Sequence, residues 1–103
     1  MPKADVTVDI FYNANTSRFV IKTNARKERV ADILDDYLEA QTGKGADHSE
    51  PNKKSEYHIT IKLDLSDDTF YVTSDTGNYS LTCGIVLYAL TAVELKEANI
   101  EDL

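Results

Sequence analysis

Apolar positions along the chain follow two periods, and each period occurs twice. Val6, Val8, Ile10 and Tyr12 alternate with Thr7, Asp9 and Phe11, which predicts a strand with one buried face. Turn-forming residues Asn13, Ala14, Asn15, Thr16 and Ser17 follow. Phe19 and Ile21 then resume the same phase as far as Thr23, completing a β-hairpin. From there the period lengthens. Val30, Ile33, Leu34, Tyr37 and Leu38 stand at the i, i+3, i+4, i+7, i+8 positions of one helical stripe, with Asn24 as the expected N-cap and Gly43 as the stop.

The second round repeats that order. Tyr57, Ile59, Ile61, Leu63 and Leu65 alternate with His58, Thr60, Lys62 and Asp64. Ser66, Asp67 and Asp68 make a turn, and Thr69 to Ser74 return. The uncharged stretch Leu81 to Val93 closes the round. The two rounds align without a gap at an offset of 51 residues, from Val6 against Tyr57 to Ala40 against Thr91. The offset turns an ambiguous apolar run, GIVLYAL, into a predicted helix with a core stripe of Leu81, Gly84, Ile85, Tyr88 and Ala89. Pairwise identity across the offset is low, and any two β-β-α units share such periods, so the match predicts architecture rather than descent.

The expected fold is therefore α+β: two β-β-α units form a four-stranded antiparallel sheet with two helices on one face, a two-layer sandwich in a single domain. The first unit covers about residues 5–41 and the second about 57–95, with a tail at 96–103. Between the units, residues 42–56 mix glycine, proline and both charges with no apolar period, which predicts a flexible connection.

The two helices differ in their second faces. Opposite the core stripe of the first helix lie Asp32, Asp35, Asp36 and Glu39, an acidic ridge. At the offset of 51 those four positions become Cys83, Val86, Leu87 and Leu90. Burying a leucine or valine stabilises by roughly 1.5–3 kcal/mol relative to exposure, so this second apolar face calls for a cover. The first helix, the tail from Glu94 to Leu103, or a second copy in an isologous dimer are the three candidates. The tail offers only Leu95, Ile100 and Leu103, and contiguous apolar surface favours a homodimer through Cys83, Val86, Leu87 and Leu90.

Charge narrows the partners. Eighteen acidic against eleven basic residues, net -7, repel phosphate backbones and make nucleic acid an unfavourable partner. Phe11, Val20 and Tyr71 among Lys22, Thr60 and Lys62 loosely resemble a base-stacking platform, but exposed aromatics on sheets more often pair across strands. The first turn of helix one carries Arg26, Lys27 and Arg29 where the macrodipole disfavours cations, and Lys22 precedes it. That set is a candidate anion or nucleotide site, set against the plainer reading that Arg29 answers Asp32. The acidic ridge is a candidate mimic of nucleic-acid phosphates for a basic partner, set against the plainer reading of a solvated face.

Motifs for chemistry are lacking in the sequence. His48 and His58 have no cysteine, histidine or carboxylate at zinc-ligand spacing, and no G-x-S-x-G turn or phosphate loop occurs. Cys83 has no second cysteine to pair with and reads as a small apolar side chain. No catalytic residue, metal or cofactor is expected. The N-terminal MPKADVTVDI lacks the apolar run of a leader, and no stretch is long enough to span a bilayer, so a cytoplasmic location is expected. The resulting expectation is a small non-catalytic protein-interaction module that self-associates through its second helix.

Overall fold

The computed structural model describes residues 5–103; the first positions of the leader expectation, 1–4, lie outside the described residues. The elements run β1 (Val6–Asn13), β2 (Arg18–Thr23), α1 (Lys27–Ala40), β3 (Glu56–Asp64), β4 (Thr69–Ser74), α2 (Tyr79–Glu94) and β5 (Asn99–Asp102). The class is α+β, but the sheet has five strands and is mixed, in the order β4-β3-β1-β2-β5. The expectation of four antiparallel strands is corrected by β5, which pairs in parallel with β2. Ile100 is the one apolar residue in Asn-Ile-Glu-Asp, so β5 has no detectable period; its backbone finds the free edge of β2 instead. The chain reverses into it through Lys96, at φ 59.

The offset of 51 reappears in the geometry. β1 meets β2 from Val8↔Thr23 to Asn13↔Arg18, and β3 meets β4 from Ile59↔Ser74 to Asp64↔Thr69, the same register in both hairpins. Turn chemistry matches as well. Asn13 Oδ1 accepts the N–H groups of Asn15 and Thr16, and Asp64 Oδ1 those of Ser66 and Asp67. Ser17 and Asp68 take the left-handed conformation at the same step, φ 56 and φ 53. The hairpins join through β1 and β3, and Asp9↔Thr60, a pair separated by that same offset, lies in the middle of the seam.

Alternation sends Val8, Ile10, Phe19, Ile21, Ile59, Ile61 and Leu63 to one side, where they are buried with Val30, Ile33, Leu34 and Tyr37 of α1. Leu65, expected in this set, lies one residue past β3 in the turn and is exposed. Asn24 is not the N-cap of α1; Arg26 holds that position and makes no side-chain cap hydrogen bond. The Asn24 amide instead accepts the Thr7 N–H at 2.8 Å and donates to the Asp5 carbonyl at 2.8 Å, tying β2 to the start of β1.

Helix α2 departs most from expectation. The α1 core residues 30, 33, 34 and 37 correspond to 81, 84, 85 and 88 at the offset, yet α2 buries Thr82, Ile85, Val86 and Ala89, with Leu90 and Ala92 beside them. Each member of the stripe has moved on by one residue, a rotation of about 100°. Tyr88, expected in the core, is 68% exposed. A hydroxyl network sets this phase. Thr82 Oγ1 lies 2.7 Å from Thr76 Oγ1 and 2.9 Å from Ser74 Oγ, and it donates to the Asn78 carbonyl, while the Asn78 side chain caps the helix at the Leu81 N–H. Buried hydroxyls need partners, and these are available only with Thr82 turned inward.

The rotation turns Val86 and Leu90 into the core that α2 shares with α1 and the sheet. Both are buried within the monomer, and Cys83 is half-buried, so of the four residues expected to form an intermolecular face only Leu87 is exposed. The cover is internal, in one core cluster with Val30, Ile33, Leu34 and Tyr37 of α1, while the tail adds β5 to the sheet. Tyr37, fully buried at the helix pair and edge-on to Phe70 at 5.9 Å, leaves its hydroxyl without a partner. Burial, and secondarily Cys83 and Tyr79, push its ionisation up to about 12.

Residues 42–56 have almost no regular structure but are fastened down, correcting the expectation of a flexible connection. Asp47 receives the Tyr79 N–H on its carboxylate and gives its own N–H to Ser80 Oγ, each at 2.8 Å, and the Asn78 amide donates to the carbonyls of Asp47 and Ser49. Asn52 N–H donates to the Thr76 carbonyl at 2.7 Å, and Lys54 pairs with Asp75 at 2.7 Å. Gly77, at φ +70, lies where an added Cβ would stand 2.8 Å from the Asn52 amide, so the strap closes tightly there. A linker this rich in Asp, Ser and Asn has short side chains suited to backbone groups, which an apolar period cannot reveal. Among the described residues no helix is long and apolar enough to cross a membrane.

Candidate functional site

Both helices cover one face of the sheet, and no element of the described chain packs on the other. Alternation places there Thr7, Asp9, Phe11 and Asn13 of β1, Arg18, Val20 and Lys22 of β2, His58, Thr60 and Lys62 of β3, and Tyr71 and Thr73 of β4. Cross-strand register assembles them into rows. One row runs Thr73, Thr60, Asp9, Lys22, Glu101 across all five strands. The next holds His58, Phe11, Val20 and Asn99.

At the crossing of the two rows the side chains hold one another. The Phe11 and His58 rings stack at 4.3 Å between centroids, only 8° from parallel, and Lys22 Nζ stands 5.5 Å from the centre of the Phe11 ring. Asp9 Oδ1 lies 3.1 Å from His58 Nε2 and accepts a hydrogen bond from Thr60 Oγ1 at 2.5 Å. A histidine, an acid and a hydroxyl thus converge, but Thr60 Oγ1, at 3.2 Å, and Asp9 both address the same ring nitrogen. A relay needs acid and hydroxyl on different nitrogens, so this arrangement fixes the ring rather than moving a proton along it. What it provides is a rigid, partly exposed aromatic pair with a cation at one end.

Beside the pair lies an open cleft of about 1190 Å³, reaching from Phe11 and Val20 to the strap residues Lys53 and Lys54. Its lining includes Arg18, Lys22, Lys53 and Lys54 against Glu56, Asp75 and Glu101, four cations to three carboxylates in a chain of net charge -7. Lys54 is held by Asp75. Burial raises the Asp75 ionisation, but the Lys54 ammonium and the His58 N–H outweigh it and leave that carboxyl below its ordinary value. The cleft is close to electrically balanced.

The sequence-derived sites are placed as follows. Arg26, Lys27 and Arg29 are exposed around the start of α1, but Lys22 points to the opposite side of the sheet, over Phe11, and does not join them. Asp32, Asp35, Asp36 and Glu39 are all exposed and form the expected ridge on α1. Val86 and Leu90 are buried in the core, Cys83 is half-buried and Leu87 is exposed. The Asp9–Thr60–His58 cluster was not singled out from sequence. The signal for it was the offset: two hairpins sharing one register and joined by their first strands bring Asp9 opposite Thr60 and Phe11 opposite His58. Among the described residues no group of three or more His, Cys, Asp and Glu side chains is arranged to hold a metal ion.

No family model, curated protein or solved structure matches this chain.

Proposed function

We propose that the protein is a non-catalytic protein-interaction module whose contact surface is the open face of its sheet. The observation that carries this reading is the pre-assembled patch at Phe11 and His58. Its side chains are locked by Asp9, Thr60 and Lys22 before any partner arrives, which lowers the ordering cost of binding. Aromatic anchors in a polar surround are the composition expected of contact surfaces. Near balance of charge in the cleft supports a protein over a polyanion: with Lys54 paired to Asp75, few cations are left for a phosphate backbone, which is bound through many. The homodimer expected through α2 has lost Val86 and Leu90 to the core, which moves the reading from the helices to the sheet.

Site-specific photocross-linking in the native cell tests it. A photoreactive residue at Val20 should yield protease-sensitive adducts that weaken at least several-fold with Phe11→Ser, while one at Leu87 should not. Adducts formed only from Leu87, or adducts removed by nuclease rather than protease, would overturn the reading.

A further inference from the structure

We infer that the free edge of β4 is a strand-addition site for an extended segment of a partner protein, apolar at its centre and basic at one end. The internal comparison carries the inference. β2 and β4 occupy equivalent places in the two hairpins, each as the outer strand. β2 is closed by β5, with Ile100 opposite Ile21, and Ile21 is fully buried. Its equivalent at the offset of 51, Val72, pairs with the fully buried Ile61 on the core side of the sheet yet is 41% exposed. Among the described residues no strand pairs with the outer edge of β4. The strap that could have played the part of β5 runs past its far end instead, at Asp75 to Asn78.

The bare edge carries none of the usual protection. Thr-Phe-Tyr-Val-Thr-Ser has no charge, proline or glycine, and all but Ser74 are β-branched or aromatic, whereas β5 at the opposite edge is short and carries two carboxylates. Every second residue of β4 directs its N–H and C=O away from the sheet, the groups that strand addition uses. An apolar side chain opposite Val72 would stand as Ile100 stands to Ile21.

Charge selects the occupant. Asp64, Asp67 and Asp68 cluster at the Thr69 end, and none of them makes an ion pair among the described residues. Asp75 stands at the other end. A second copy offers no free cation there: antiparallel β4 against β4 sets Asp67 and Asp68 of one chain near the mutually neutralised Lys54–Asp75 pair of the other, and an incoming β5 brings Glu101 and Asp102. A strand ending in lysine or arginine near Thr69 supplies the missing countercharge to Asp64, Asp67 and Asp68.

The inference rests on the reading of the chain as a protein-binding module, and the two can fail separately. Titrate the full chain, observed by amide NMR, with eight-residue peptides of alternating valine and threonine bearing two lysines at the first or at the last positions, and with glutamate-ended counterparts. The expected result is saturable shifts and slowed amide exchange at Phe70, Val72 and Ser74 with one of the lysine-ended peptides. Binding should be at least tenfold weaker for its glutamate-ended counterpart and for Val72→Lys, whose side chain is already exposed. Shifts confined to Phe11 and His58 would overturn the edge site while leaving the sheet-face reading intact. Absence of binding by both lysine-ended peptides, or a doubled solution mass abolished by Val72→Lys, would overturn the edge site as well.

Discussion

The first β-β-α unit has a helix with one apolar stripe, carboxylates on its far side, and an outer strand closed by β5. The second has a helix with no charge between Tyr79 and Val93, rotated by one residue, and an outer strand left open. Their hairpins nevertheless agree in register, in turn length, in side-chain capping of the turn and in the left-handed residue that ends it. Hairpin geometry is therefore settled by local chemistry, which both halves share. Helix phase and edge exposure are settled by neighbours, which they do not. α1 buries a single apolar stripe, whereas α2 also buries its additional apolar side chains, Val86 and Leu90, in the core the two helices share with the sheet.

The largest expected effect tests that rotation. Val86→Asp places a carboxylate in a fully buried position, and it should cost about 3–5 kcal/mol in urea unfolding. Leu87→Asp, one residue away and 55% exposed, should change stability by no more than about 0.5 kcal/mol. Equal and small effects from the two, with a change of solution mass, would mean that Val86 faces a second chain instead of α1.

How much of this was legible follows from the same division. The strands, both turns and the α1 stripe came from periods of two and 3.6, because Ile10, Ile21, Val30 and Ile59 are buried where the period puts them. The phase of α2 was not legible, since an apolar side chain stood at almost every position and the choice fell to Thr82, whose partners Ser74 and Thr76 lie outside the helix. β5 was missed because an edge strand is recruited by backbone hydrogen bonds and needs only one apolar residue. The fastening of the strap is not visible in its sequence, because polar residues look alike whether solvated or bonded. For the candidate site, the sequence put Phe11, Val20, Lys22 and Tyr71 on one sheet face, but the Asp9–His58 contact required knowing that β1 lies beside β3.

The second prediction concerns the closed edge. Ile100 is partly buried and sits opposite Ile21, so Ile100→Ala should lower stability by about 1–2 kcal/mol. Amide exchange should quicken at the outward N–H groups of β2 and at the Leu103 N–H, which donates to the Thr23 carbonyl, and remain unchanged in β4. Uniform acceleration across both hairpins would show that β5 supports the whole sheet and that the two edges are not independent.

The smallest effect distinguishes the two helix starts. α1 begins at Arg26 with no side-chain cap, whereas α2 is capped by Asn78 and receives the Asp47 carboxylate of the strap at the Tyr79 N–H. The Ser49 hydroxyl first, and then the N–H groups of Tyr79 and Ser49, hold the Asp47 carboxyl down to about 2, against an ordinary value of 3.8. A carboxyl depressed on folding stabilises the folded state above its unfolded value, and the contribution fades as pH falls through the folded one. Between about pH 4 and 2, therefore, the strap should loosen from α2, with the Tyr79 amide shifting and exchanging faster while the start of α1 does not respond at Lys27 and Arg29. Asp47→Asn should remove the titration at Tyr79 and keep the fold, since Asp47 is only partly buried and the strap remains held at Asn52. A Tyr79 amide that titrates identically in Asp47→Asn would assign the acid response to Asp75 and its Lys54 pair, placing the fastening of the second unit at the end of β4 instead of at the start of its helix.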